Sequence, residues 1–142
     1  VKVAPHGSVS NRVRKASKYL FMSPTYRMAL LSVAGNENTF FARQGKLLED
    51  VVGEYFYRDM VSKGKGALSY DPAQGGADFI LEIENSHRIA VEVGRGEKDG
   101  RQITNTMAKV PCRYGINISY KNEGLRVQNN ILQLPLSTFL LI

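Results

Sequence analysis

The order of periodic segments along the chain predicts a mixed α/β fold, a central sheet flanked by helices. Three observations carry that expectation. Leu47, Leu48, Val51, Val52, Tyr55 and Phe56 recur at three- and four-residue spacing between Gln44 and Met60, the mark of one buried helical stripe. Two short runs, Ala77–Glu84 and Arg88–Gly94, alternate apolar and polar residues around a tight turn at Asn85-Ser86-His87. Helical and strand-like segments then follow one another to the end of the chain, with no internal repeat or low-complexity linker to divide it.

The elements follow in order. Ser23 before Pro24 reads as an N-cap and first-turn proline, opening a short helix through Tyr26, Met28, Ala29, Leu30 and Leu31. Gly35-Asn36-Glu37-Asn38 breaks it, and the striped helix from Gln44 runs until Ser62-Lys63-Gly64-Lys65-Gly66. Asp71-Pro72 to Gly75-Gly76 is loop, and the hairpin follows. Gln102–Lys109 forms a further short helix that Pro111 closes. Tyr114–Tyr120 and Ile131–Leu134 are expected as strands around a turn at Asn122-Glu123-Gly124, and Pro135 starts a last helical turn.

Composition sets the outer limits. The 142 residues contain 43% apolar and 23% charged residues, enough for one domain with a real core. A single cysteine, Cys112, excludes an internal disulfide framework and a cysteine-rich zinc site, reads as a buried thiol, and points to a reducing, cytoplasmic compartment. No apolar run approaches about 18 residues and no leader opens the chain, so no membrane partner is expected. Val1 in place of an initiator Met and the apolar ending Leu140-Leu141-Ile142 predict a piece of a longer protein.

Charge gives the first positive indication. Lys and Arg number 19 against 13 Asp and Glu, a net charge of +6, which favours polyanionic partners such as nucleic acid. Much of the surplus lies early: Arg12, Arg14, Lys15, Lys18 and Arg27 precede the first acidic residue, Glu37. Arg12, Arg14, Lys15 and Lys18 are the candidate nucleic-acid contacts. The seven tyrosines offer stacking surfaces, although their spacing assigns most of them to the core. His6 and His87 stand alone, without partners at motif spacing.

The hairpin carries candidate chemistry. By strand alternation, Phe79, Leu81 and Ile83 share one face, while Asp78, Ile80, Glu82 and Glu84 share the other. If Glu84 pairs with Arg88, Asp78 and Glu92 become diagonal neighbours on one face; a two-residue loop would separate them. Two converging carboxylates repel unless a cation joins them, and Mg²⁺ or Mn²⁺ suits that role. Such an ion stabilises phosphodiester hydrolysis. Glu49, beside the helical stripe, could supply a third carboxylate. Alternating strands also carry acids on a merely solvated face.

Gly45-Lys46-Leu47-Leu48-Glu49, Gly76-Ala77-Asp78-Phe79 and Ala90-Val91-Glu92-Val93 resemble the core of the PD-(D/E)XK, restriction-endonuclease-like nuclease superfamily. More closely, the chain is similar to the nuclease-like C-terminal domain of archaeal and bacterial AAA+-type ATPases. Lys18-Tyr19-Leu20-Phe21-Met22-Ser23-Pro24 and Ile131-Leu132-Gln133-Leu134-Pro135-Leu136 share in that resemblance. It implies one nuclease-like domain over residues 1–142, with a basic helical lead-in at 1–36 and the nuclease-like core at 37–142. It further implies an upstream ATP-binding domain in the same chain, and self-association is an additional expectation.

By that resemblance Asp78 and Glu92 bind the metal, Glu49 assists, and a lysine two residues after the second acid orients the attacking water. Here that position is Gly94, and the proline of the motif is Ala77. Without a cation there, the transition state loses a stabiliser. Lys46 and Lys98 are the candidate replacements, whereas Arg95 cannot readily act as a base. Gln102 matches a helical glutamine of some superfamily members, or is an ordinary exposed residue. The expected function is nucleic-acid binding with metal-dependent phosphodiester cleavage; the alternative is a degenerate nuclease fold that docks or regulates the ATPase.

Overall fold

A computed structural model describes residues 1–34, 43–83, 87–96 and 99–142, without the side chain of Asn11. The break expected at 35–38, the hairpin turn at 84–86 and Lys98 lie outside these residues. Within them the chain forms a mixed α/β structure built on an eight-stranded sheet. In chain order the strands are β1 (Lys2–Pro5), β2 (Lys18–Tyr19), β3 (Gly66–Tyr70), β4 (Phe79–Ile83), β5 (His87–Gly94), β6 (Tyr114–Ser119), β7 (Arg126–Gln128) and β8 (Ile131–Pro135). The helices are α1 (Val9–Arg14), α2 (Pro24–Ala34), α3 (Gln44–Phe56), α4 (Arg101–Met107) and α5 (Leu136–Phe139). A π-helical turn, Tyr57–Val61, extends α3.

The spatial order is β2-β1-β3-β4-β5-β6-β8-β7. Four neighbouring pairs are antiparallel (β1·β2, β3·β4, β4·β5, β7·β8) and three are parallel (β1·β3, β5·β6, β6·β8). The parallel step from β5 to β6 crosses through α4, as parallel neighbours require. Asn129 and Asn130, with φ of 51° and 61°, form the two-residue turn between β7 and β8. Asparagine tolerates that left-handed geometry better than most side chains.

Helices cover both faces. On one, Val52 and Phe56 of α3 pack with Phe79, Leu81, Val91, Val93, Ile118 and Leu134 from successive strands. Phe56 meets Phe79 and Phe139 edge to face, at centroid distances of 6.3 and 5.6 Å. On the other, Ile103 of α4 packs with Ala77 and Ala90. Alternation along β5 divides the residues: Ile89, Val91 and Val93 face α3, while Ala90, Glu92 and Gly94 take the opposite side.

The lead-in, expected from sequence to be helical, supplies the strands β1 and β2 as well as α1 and α2. The strand β3 occupies the stretch between the expected helix end at Ser62–Gly66 and the expected loop from Asp71, which the sequence reading leaves unassigned. Register is the main correction within the hairpin. Glu82, not Glu84, pairs with Arg88, and Phe79 pairs with Val91. That alignment stacks the large apolar residues on the α3 side and sets Arg88 Nε 2.7 Å from Glu82 Oε2 on the other. Asp78 stands one residue before the ladder, so continuing the register places it opposite Glu92 rather than diagonal to it.

The helix α2 buries none of its residues. It is fastened through Arg27, which donates from Nε to Asp50 Oδ2 and from Nη2 to Asp50 Oδ1 at 3.0 Å. Phe21 N–H adds a bond to Asp50 Oδ1 at 3.2 Å, and the guanidinium lies 4.6 Å from the Phe21 ring centroid. Asp50 is fully buried, and its hydrogen bond raises the Arg27 pKa despite some desolvation. Arg27 therefore belongs to the packing of the lead-in against α3.

Candidate functional site

The acid cluster sits where α3, β2 and the start of β4 meet. Glu49 lies on the buried side of α3, in line with Gly53 and Phe56 at four- and seven-residue spacing, and is 7% exposed. Gly53 makes room: a methyl group there would run into Leu20 Cδ1 and come within 3.1 Å of Phe79 Cζ. The segment around Lys18 can thus press onto α3. Lys18 Nζ donates to Glu49 Oε2 at 2.9 Å, to the Asp78 backbone carbonyl at 3.1 Å and to Asp78 Oδ1 at 3.4 Å. Its charge also lies 5.0 Å from the Phe79 ring centroid and 5.5 Å from that of Tyr70.

Lys46, one turn before Glu49, donates to Oε1 at 2.8 Å and Oε2 at 2.9 Å. Asp78 Oδ2 accepts from Val93 N–H at 3.0 Å, which ties the bend before β4 to the end of β5. The preceding loop is fixed on the other side of the sheet. Thr106 Oγ1 donates to Asp71 Oδ2 at 2.7 Å and accepts Ala77 N–H at 2.8 Å. A Cβ at Gly76 would overlap the Asp71 carboxyl carbon at 2.5 Å, so glycine is needed where this loop doubles back. Asp71-Pro72 opens the loop that the sequence indicates, and Asp71 Oδ1 accepts Ala73 N–H at 3.0 Å.

The two carboxyls are driven apart electrostatically. Burial alone would raise Glu49, but the Lys18 and Lys46 ammonium groups outweigh it and its pKa is lowered. Burial raises Asp78, and the Glu49 charge adds to the rise against the pull of Lys18, Val93 N–H and Lys46. Opposed shifts in one cluster are the pattern of an acid and base pair, although structural ion pairs produce them too.

Glu92 is 2% exposed and aligns with Asn117 across β5 and β6, while Gln133 continues the row on β8. Gly94 is buried, and its carbonyl accepts Tyr120 N–H at 3.1 Å. Lys18 reaches the cluster, although the sequence grouped it with the basic approach surface. Its signal was hidden because 31 residues separate it from Glu49 and 60 from Asp78. Arg12, Arg14 and Lys15 are exposed on and just after α1, and Gln102 is half-buried on α4.

Other expectations change in detail. Tyr19, Tyr26, Tyr114 and Tyr120 are exposed rather than core residues. Cys112 is half-buried, and burial raises its thiol pKa. A cleft of about 480 Å³ lies between α4 and the β7–β8 hairpin, with Asp99, Thr104 and the Glu92-row residues Asn117 and Gln133 among its lining.

Continuing the β4–β5 register places Asp78 opposite Glu92, and carboxylates are the donor type that Mg²⁺ or Mn²⁺ takes. Among the described residues no group of three or more His, Cys, Asp or Glu side chains is arranged to hold a metal. Strand register alone relates the two acids: the Asp78 carboxylate is engaged by Lys18 beside Glu49 of α3, whereas Glu92 takes the sheet side opposite α3. No helix among the described residues is long and apolar enough to cross a membrane.

Comparison with known proteins finds a relative in an uncharacterized protein of Methanocaldococcus jannaschii, 38% identical over 144 aligned positions. The match covers 99% of this chain and 29% of the relative, so the chain spans less than a third of its length. Neither a protein-family profile nor a solved structure matches the chain.

Proposed function

We propose that the chain is a restriction-endonuclease-like module of a longer AAA+-type ATPase, binding nucleic acid and hydrolysing phosphodiester bonds at a site built from Glu49, Asp78, Glu92 and Lys18. The observation that carries this reading is the Lys18 ammonium, 2.9 Å from Glu49 Oε2 and 3.4 Å from Asp78 Oδ1. It answers the gap at Gly94: the missing cation is supplied from β2 instead of from β5. The match to under a third of a longer relative is in keeping with a module joined to other domains.

The roles follow from the geometry. Asp78 and Glu92 would hold a Mg²⁺ or Mn²⁺ ion, which supplies charge neutralisation and a more acidic bound water. Glu49 fixes Lys18 by a direct ion pair, and Lys46 balances the remaining charge on Glu49. Lys18 directs its three donors to Glu49 Oε2, the Asp78 carbonyl and Asp78 Oδ1, so it would meet an incoming phosphate oxygen by exchanging its longest bond, that to Asp78 Oδ1 at 3.4 Å, and there a positioned ammonium stabilises developing negative charge. Arg12, Arg14 and Lys15 contribute long-range attraction for the polyanion.

A second reading is favoured by a specific observation. Both oxygens of Glu49 already accept lysine ammonium groups, so the acids are compensated within the chain. On that reading the fold is a degenerate nuclease that docks on or regulates its ATPase. Supercoiled-plasmid nicking with Mn²⁺, alongside melting with and without the ion, separates the two. Nuclease function requires nicking and Mn²⁺ stabilisation that Asp78→Asn abolishes, and nicking that Lys18→Met reduces at least tenfold. An inactive wild-type domain whose melting ignores Mn²⁺ would establish the degenerate reading.

A further inference from the structure

A second polar site lies on the sheet side opposite α3, away from the acid cluster. Here β1, β3, β4 and β5 border a cleft of about 420 Å³ lined by His6, Arg12, Ser69, Glu82 and Arg88, with Gly7 at its rim. Its residues come from five elements or their ends, and the fold explains their meeting. Parallel pairing of β1 with β3 sets Pro5 against Tyr70, and His6 N–H then bonds the Tyr70 carbonyl at 2.8 Å. Gly7, at φ 120°, turns the chain where a side chain would be strained. That turn brings α1, and Arg12 with it, to the cleft.

We propose that this cleft binds a phosphoryl group, with Arg12 and Arg88 as its cationic walls and His6 as a hydrogen-bonding partner between them. Arg12 makes no ion pair with a described residue, so its guanidinium is available to a ligand. Arg88 donates from Nε to Glu82 Oε2 at 2.7 Å, which neutralises the cleft's carboxylate while the Nη groups remain. The guanidinium fork matches phosphate oxygens better than a point charge does.

The histidine is arranged for the same ligand. Ser69 Oγ lies 3.4 Å from the Ile80 carbonyl, to which it donates, and 3.3 Å from His6 Nδ1. With the hydroxyl proton committed to that carbonyl, Ser69 accepts from Nδ1–H, and Nε2 is the position that can gain a proton toward an anion. Burial and then Arg88 depress the His6 pKa, Arg12 adds to the fall, and Glu82 and Asp71 oppose it. A bound dianion reverses the balance by adding negative charge between the arginines.

The cleft is distinct from the acid cluster. Along β5, Arg88 and Glu92 are four residues apart on one face, about 13 Å at strand rise. A phosphoryl group held here is therefore not the one beside Asp78 and Glu92. Site occupancy also does not require hydrolysis, so it stands or falls separately from the proposed nuclease reaction.

The test is NMR titration of the His6 ring in the full 142-residue chain, with inorganic phosphate at fixed ionic strength. Phosphate should raise the His6 pKa by about 1. Arg12→Ala, an exposed change on α1, should weaken phosphate binding at least tenfold without altering the core methyl spectrum. Ser69→Ala should reduce the His6 response as a second check. Matched oligonucleotides with a 5′-phosphate or a 5′-hydroxyl identify the source. Preference for the phosphorylated strand assigns a terminal monoester, and equal competition by both assigns backbone diesters; either supports a phosphoryl site. A His6 titration indifferent to phosphate, or unchanged affinity in Arg12→Ala, would overturn it.

Discussion

Lys18 grips Asp78 twice, through the backbone carbonyl at 3.1 Å and through Oδ1 at 3.4 Å, and so joins the edge of the sheet to the start of the hairpin. Removing the ammonium leaves Glu49 and Asp78 facing one another with one compensating cation fewer. A fully buried pair broken in this way loses about 3–5 kcal/mol. Because Lys18 retains 17% side-chain exposure, Lys18→Met should cost nearer ~2 kcal/mol. Urea unfolding measures it, and adding Asp78→Asn should recover part of the loss. A Lys18→Met domain as stable as the parent would remove the ammonium from the electrostatics of the site.

Asp78 should limit stability at neutral pH. Its folded-state pKa is raised above the ordinary 3.8, first by burial and then by Glu49. The ionised form is thus disfavoured by folding: the penalty is absent well below 3.8, grows as pH rises toward the folded pKa, and is complete above it. Asp78→Asn should melt about 3 °C higher than the parent at pH 7, with the advantage vanishing in acid. Glu49 acts in the opposite direction. Its lowered pKa gives stability that is present above 4.5 and lost as pH falls through the folded value, so Glu49→Gln should melt lower at pH 7. Melting curves across pH test both signs.

The Arg27–Asp50 pair should be the main anchor of α2. Asp50 is fully buried and accepts from two guanidinium nitrogens and a backbone N–H. Arg27→Met should therefore cost about 3–5 kcal/mol and speed amide exchange throughout Pro24–Ala34. Lys63→Ala, at the exposed pair with Asp59, should leave the unfolding midpoint unchanged.

Gly53→Ala probes the close approach of α3 to the lead-in. Its methyl group collides with Leu20 Cδ1, and relief requires movement of Leu20 or the helix. Overpacking of this kind costs about 1–3 kcal/mol, more than the helix-propensity gain of about 1 kcal/mol from replacing glycine. Denaturation should show net destabilisation, with chemical-shift changes reaching Lys18.

The helix stripe and the hairpin were legible because each repeats an apolar signal over many residues. Val52 and Phe56, and the alternating Phe79, Leu81, Val91 and Val93, all enter one core cluster. The missed strands lacked such a signal: β2 has two residues, and all three residues of β7 are exposed. Alternation within each hairpin strand was readable, but whether Asp78 and Glu92 share a face depended on a loop length the sequence left open. Their alignment was not legible, because it depends on stacking the large apolar residues and on the Glu82–Arg88 pair. The cationic partner of Asp78 was beyond reach of local pattern, since it arrives from 60 residues upstream in a strand with almost no apolar content.

The shortness of β2 makes it a latch. Its two residues pair only with β1 at the sheet's edge, and what holds them down is the buried Leu20 that follows, which exchanges backbone bonds with Val1 at 2.6 and 2.8 Å, together with Lys18 itself. When that latch lifts, Lys18 leaves with it, and the two acids lose their shared counter-ion while the rest of the sheet stays folded. The edge strand thus does for the acids what a counter-ion from solution would otherwise have to do. Hydrogen exchange at Lys18–Tyr19 should run faster than at Val91–Val93, because β2 lies at the sheet's edge and β5 in its interior.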